Sequence, residues 1–112
     1  MAIRDPVRPA RDLLGGDLMY LQAIADQVRA NLPPGTAVPA DSEDLFRLYA
    51  VLVRVKGSAT TLEDVHDTWV AWEATRNPTH AALVPFDELP PTVQAEDAPL
   101  LQAIQATSVA LD

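Results

Sequence analysis

The chain has 112 residues, a formal net charge of −8 and no cysteine. That length fills one hydrophobic core, and the missing thiols exclude disulfides, cysteine catalysis and cysteine-ligated zinc. No apolar run approaches the ~20 residues that span a bilayer, and the N-terminus lacks the apolar stretch of a secretory signal, so a soluble, cytoplasmic protein without membrane contact is expected.

Residues 1–17 mix Arg4, Arg8 and Arg11 with two prolines and the Gly15-Gly16 pair, without any period. They read as a flexible leader to a single helical domain over 18–112, and Met19 reads as an alternative start. Leu21, Ile24, Ala25, Val28 and Leu32 recur at helical spacing, which predicts a first helix from about Leu18 to Ala30 with Asp17 as N-cap. Pro33-Pro34-Gly35 ends it and opens a proline-rich connector.

Asp41 or Ser42 caps a second helix, with Glu43 and Asp44 where the helix dipole favours negative charge. From Leu45 to Val55 the chain is apolar almost all round except Arg47 and Arg54, so this helix is expected at the centre. Val51, Val53 and Val55 also suit a buried strand; length and cap favour the helix. Gly57 supplies the stop. Thr60 or Thr61 opens a third helix, with Thr61 and Asp64 resembling a capping box, and its apolar residues Leu62, Val65, Trp69, Val70 and Trp72 run to about Ala74 before Asn77-Pro78 ends it. An apolar segment with fixed φ values, Leu83-Val84-Pro85-Phe86, leads to Pro90-Pro91. A short turn at 91–96 and a last helix from about Asp97 to Ala110 follow, with Asp97 as N-cap and Pro99 in the first turn. The predicted architecture is all-α: a small bundle of four main helices with an ordered proline-containing connector before the last one.

Charge divides the chain. Residues 1–56 balance seven basic against seven acidic residues, whereas 57–112 hold nine acidic residues and Arg76 alone. Such a half repels phosphate backbones, so no nucleic-acid partner is expected; it reads as a solvated acidic surface or as a face for a basic partner or a cationic ligand. Glu63, His66 and Asp67 share a helix face, but a di-metal bundle needs a second Glu-x-x-His and further glutamates, and no nucleophile accompanies the imidazole. No metal, cofactor or catalytic residue is therefore expected. His66 is expected to bond a carbonyl of the 77–87 connector. The tryptophans read as core, with Trp72 the better candidate for an exposed aromatic wall. If connector and third helix rim a pocket, its ligand-binding groups are His66, Trp72, Arg76, His80, Asp87 and Asp97. Arg76 is then the partner for a carboxylate or phosphate, unless it pairs with Glu73 or Asp87. Asp87 reads as a turn or cap residue.

Two blocks over residues 60–110 resemble the ryanodine-receptor repeat domain. Val65-His66-Asp67-x-Trp69 is similar to that family's Val-His-Glu-x-Trp, and His80-x-x-Leu83-Val84-Pro85-Phe86-x-x-Leu89-Pro90 to its His-Pro-x-Leu-Val-Pro-Tyr-x-x-Leu-Pro. Glu96-Asp97 before the last helix resembles its acidic ending. Ala81 replaces a proline, and the family's Gly-Trp-x-Tyr-Gly insert is missing between Trp69 and His80, so the form is shortened. It also resembles small proteins of actinobacteria and their phages. The resemblance implies a non-enzymatic helical module that binds a small, nucleotide-derived ligand or a protein segment. The alternative is a small structural or interaction protein of a phage or mobile element with no small-molecule ligand.

Overall fold

The computed structural model describes residues 10–111, with side-chain surroundings from Tyr20 onward. Five helices follow one another: α1 (Ala10–Ala30), α2 (Glu43–Val55), α3 (Leu62–Arg76), α4 (Pro91–Gln94) and α5 (Ala98–Leu111). No strand occurs among the described residues. Helix α2 touches α1, α3 and α5, so it is the central element its sequence predicts. Among the described residues, no helix is long and apolar enough to cross a membrane.

The core joins Ile24, Ala25 and Val28 of α1 to Leu45, Phe46, Tyr49, Ala50 and Val53 of α2, with Val65 and Trp72 of α3 and Ala103 and Ile104 of α5. Each large apolar side chain buried here contributes about 1.5–3 kcal/mol. Phe46 meets Tyr49 edge-on at 5.4 Å, and the Arg29 guanidinium covers its ring at 4.2 Å while donating to Ser42 Oγ at 3.1 Å. Asn31 Nδ2 donates to Thr107 Oγ1 at 2.9 Å and so ties the end of α1 to α5. Both α2 arginines are engaged: Arg47 pairs with Asp44 and donates to Gln22, and Arg54 lies over the Tyr20 ring.

Helix boundaries follow the residues that stop or cap them. Ser42 is the N-cap of α2, but its hydroxyl serves Arg29 rather than its own helix. Gly57, with φ +56°, turns the chain out of α2, and a Cβ there would meet Ser108 Oγ at 2.7 Å. Thr61 and Asp64 form the reciprocal capping box of α3, at 3.2 and 2.9 Å. Lys56 Nζ lies 2.9 Å from the Asp64 carboxylate and, with the Thr61 bonds, holds that carboxyl below the usual range.

Two boundaries differ from the sequence reading. Helix α1 starts at Ala10, so Asp17 is inside it rather than capping it, and residues 10–17 are helical rather than a loose leader. Glycine lowers helix propensity without forbidding a helix, and the Gly15-Gly16 pair is carried through. The part of the proposed leader over 1–9 lies outside the described residues. Asp97 is likewise no N-cap: a 3-10 turn over Ala95–Asp97 joins α4 directly to α5. A tight turn ahead of Pro99 suits a residue that has no N–H to give the next turn.

Candidate functional site

Helical spacing puts His66 and Trp69 on one face of α3. Beyond Asn77 two successive turns, His80 N–H to Asn77 O and Leu83 N–H to His80 O, reverse the chain and bring it back along that face. Pro85 (φ −56°, ψ 148°) keeps the next step extended before a 3-10 turn over Phe86–Glu88. Gln94 Nε2 donates to Phe86 O at 3.0 Å and fastens the far end.

His66 makes the near attachment. Its Nε2 lies 2.7 Å from Val84 O, and a carbonyl only accepts, so Nε2 carries the proton and Nδ1 is left as acceptor in the neutral ring. The imidazole is buried at 3% exposure and meets the Phe86 ring at 6.0 Å. This is the connector-carbonyl bond the sequence predicts. His80 accepts where His66 donates: the Ala82 N–H donates to its Nδ1 at 3.0 Å, which puts the proton of the neutral ring on Nε2, the same tautomer as in His66. Trp69 lies between them, stacked on His66 at 5.9 Å and edge-on to His80 at 5.1 Å.

These three rings wall a cavity of about 210 Å³, completed by Ala82, Leu89, Val93, Glu96 and Asp97. Burial raises the Asp97 carboxyl above the usual carboxylate range; the nearby His66 opposes this and Glu96 adds to it. The 3-10 turn that denies Asp97 a capping role thus turns it toward the imidazole side of the molecule.

Three of the six predicted ligand-binding residues, His66, His80 and Asp97, line this cavity, and three do not. Trp72 is a core residue at 7% exposure, and the aromatic wall is Trp69. Arg76 lies over the Trp72 ring at 4.1 Å and 3.8 Å from Glu73, one of the pairings its sequence allows. Asp87 is exposed within the 3-10 turn and makes no capping bond. Sequence reasoning passed over Glu96, Leu89 and Val93 as site residues. Glu96 precedes Asp97, and Trp69 is three positions after His66, so both neighbours were available as signals. The Glu63–His66–Asp67 cluster is split, since both carboxylates are exposed and the imidazole is buried. Among the described residues, no group of three or more histidines and carboxylates is placed to hold a metal ion.

Helices α1, α2, α3 and α5 around one core, with a strapped connector over α3, define a small all-α domain with a ring-walled hollow. The chain belongs to the family described as Domain of unknown function (DUF7701), whose model matches residues 19–109 and so includes every residue of the hollow. No match is found among curated proteins or solved structures.

Proposed function

We propose that this domain is a non-enzymatic binding module that holds a small ligand, or one side chain of a protein segment, in the hollow beside His66, Trp69 and His80. The observation that carries the reading is the indole fixed between two imidazoles, each already bonded to the backbone. Rings held in this way form a preorganised stacking wall and lose little freedom when a ligand arrives. No serine, threonine, cysteine or lysine lines the hollow, so it offers no nucleophile of those types.

Size and charge narrow the ligand. A volume of about 210 Å³ lies below the roughly 300–1,000 Å³ of drug-sized sites, which favours a single ring or side chain over a whole nucleotide. Arg76 is committed to Trp72 and Glu73, and the carboxylates of Glu96 and Asp97 line the hollow, so a phosphate group finds no cation there. The likeness to the ryanodine-receptor repeat domain supports a sensing or docking role. A thermal-shift screen with nucleobases, nucleosides, nucleotides and dinucleotide-derived metabolites tests the proposal. A true ligand at 100 times its Kd stabilises by about 2.7 kcal/mol, and His80→Ala is expected to reduce that gain. A panel without any shift sinks the small-ligand form.

A second reading, a small structural or interaction protein, rests on a different surface. Leu48, Val51 and Val55 expose an apolar strip on α2, 69% exposed at Val55, beside a shallow groove that Asp67, Thr68 and Ala71 complete. Light scattering of the purified protein, with Val51→Glu as comparison, tests it. A monomer in both cases removes self-association.

A further inference from the structure

A second hollow of about 390 Å³ lies between the connector at 36–39, α2 and the start of α5. It shares three residues with the first: Trp69, Glu96 and Asp97 line both. Tyr49 also lines it, with a fully buried side chain whose hydroxyl is the single buried side-chain polar atom without a hydrogen-bond partner among the described residues. An orphan hydroxyl in a packed interior is costly, which marks the position as one where a partner is missing.

Among the described residues Asp97 forms no ion pair either, although His66 lies near it. The ion pairs among the described residues are Arg47–Asp44, Lys56–Asp64 and Arg76–Glu73, and none reaches the 96–97 edge. Burial and the Asp97 charge together push the Tyr49 hydroxyl far above the usual phenol range, just as burial and Glu96 push the Asp97 carboxyl up. Both departures begin with burial and are increased by neighbouring negative charge; at Asp97 only His66 opposes them, without an ion pair among the described residues. An anion worsens that imbalance and a neutral ring leaves it unchanged. A cation corrects it and also gains from the indole face. The rest of the second hollow, including Leu45, Pro39, Pro99 and Leu100, is apolar and suits an alkyl stem.

We propose that the Glu96–Asp97 edge between the two hollows binds a guanidinium or primary ammonium group on an alkyl stem, stacked against Trp69 and donating a hydrogen bond to the Tyr49 hydroxyl oxygen. The proposal rests on the binding-module reading and names its ligand class. A free alkyl cation and an arginine or lysine side chain share this chemistry, and the test separates them.

The full chain is titrated with n-butylguanidinium, with its uncharged isostere n-butylurea, and with a capped Gly-Arg-Gly peptide, while the Trp69 indole N–H resonance is followed. Both cations are expected to move that resonance, with butylurea weaker by about tenfold or more, since a charge-assisted hydrogen bond is lost. Asp97→Asn and the exposed Glu96→Gln are each expected to weaken cation binding, Asp97→Asn by about tenfold or more. Tyr49→Phe is expected to weaken it several-fold while the fold is kept. If Asp97→Asn does not fold, Glu96→Gln carries the charge test alone. A peptide that binds more tightly than butylguanidinium assigns the site to a protein segment; equal binding assigns it to a free alkyl cation. Butylurea binding as well as butylguanidinium, or charge-removing variants that bind unchanged, overturns the proposal. Adenosine or nicotinamide moving the Trp69 resonance while the cations do not overturns the ligand class and leaves the binding-module reading standing. If neither rings nor cations move it, both fail.

Discussion

Between α1, α2 and α5, polar groups near the core find partners: Arg29 reaches Ser42, Asn31 reaches Thr107, and Thr107 Oγ1 donates back to Ala103 O at 2.7 Å. Between α2, α3 and the 95–97 turn the pattern reverses. There, among the described residues, the Tyr49 hydroxyl has no partner, the Asp97 carboxyl forms no ion pair and is opposed only by the nearby His66, and two hollows remain. One chain, under one set of packing rules, satisfies its polar groups on one side and leaves them unmatched on the other. Unmatched groups lower stability, and their concentration on one side of an otherwise packed domain is the reason the proposed binding site is placed there.

The contrast can be broken from the packed side first. Phe46→Ala removes the ring under Arg29 and beside Tyr49, and a loss of about 3–5 kcal/mol is expected in urea denaturation. A loss near 1 kcal/mol would mean that the α1–α2 side is much looser than its burial indicates. His66→Ala acts on the other side. It deletes the donor to Val84 O, and about 1–3 kcal/mol is expected to go. Hydrogen exchange is expected to rise most over residues 83–89, and a uniform rise along the chain would contradict a local strap. Thr61→Ala, at the capping box between the two sides, is expected to cost about 1 kcal/mol, read as a shift in the urea midpoint.

Smaller effects, of unusual sign, belong to the unmatched side. Asp97 has Glu96 and His66 beside it and Tyr49 within reach of its charge, and its carboxyl is raised in the folded state. The folded chain therefore binds that proton more tightly than the unfolded chain. Its contribution to stability is present below the unfolded value of about 3.9 and declines as pH rises through the folded value. Asp97→Asn is expected to stabilise the ligand-free protein at pH 7 relative to pH 4, and comparing urea midpoints at the two pH values checks the sign. Tyr49→Phe removes an unsatisfied hydroxyl from a fully buried position, so no loss of stability, or a slight gain, is expected on thermal melting. A clear loss would show that the hydroxyl has a partner after all.

Much of the frame was legible because it is local. The helical spacing of Leu21, Ile24, Ala25 and Val28 in α1, the length and acidic first turn of α2, the Thr61–Asp64 box, the Gly57 stop and the His66 bond to the connector all follow from residue types a few positions apart or from one chain reversal. What was missed depends on distant contacts. Trp69 and Trp72 lie three apart on one helix, and only the return path of residues 80–89 determines which indole borders empty space. Asp97 has the sequence context of a cap, and only the continuity of α4 into α5 turns it into a wall residue. For Arg76, the lone base of its half, the sequence leaves a ligand, Glu73 and Asp87 open as partners, and the fold gives it Glu73 and the Trp72 ring of its own helix.

The Val84–His66 bond couples the loop to the hollow. The same imidazole that fastens the loop also floors the ring-walled hollow, so opening the loop and emptying the hollow draw on a shared equilibrium. Any molecule that settles against that ring must slow the peeling of residues 83–89 and shield them from proteases, whatever its own chemistry turns out to be.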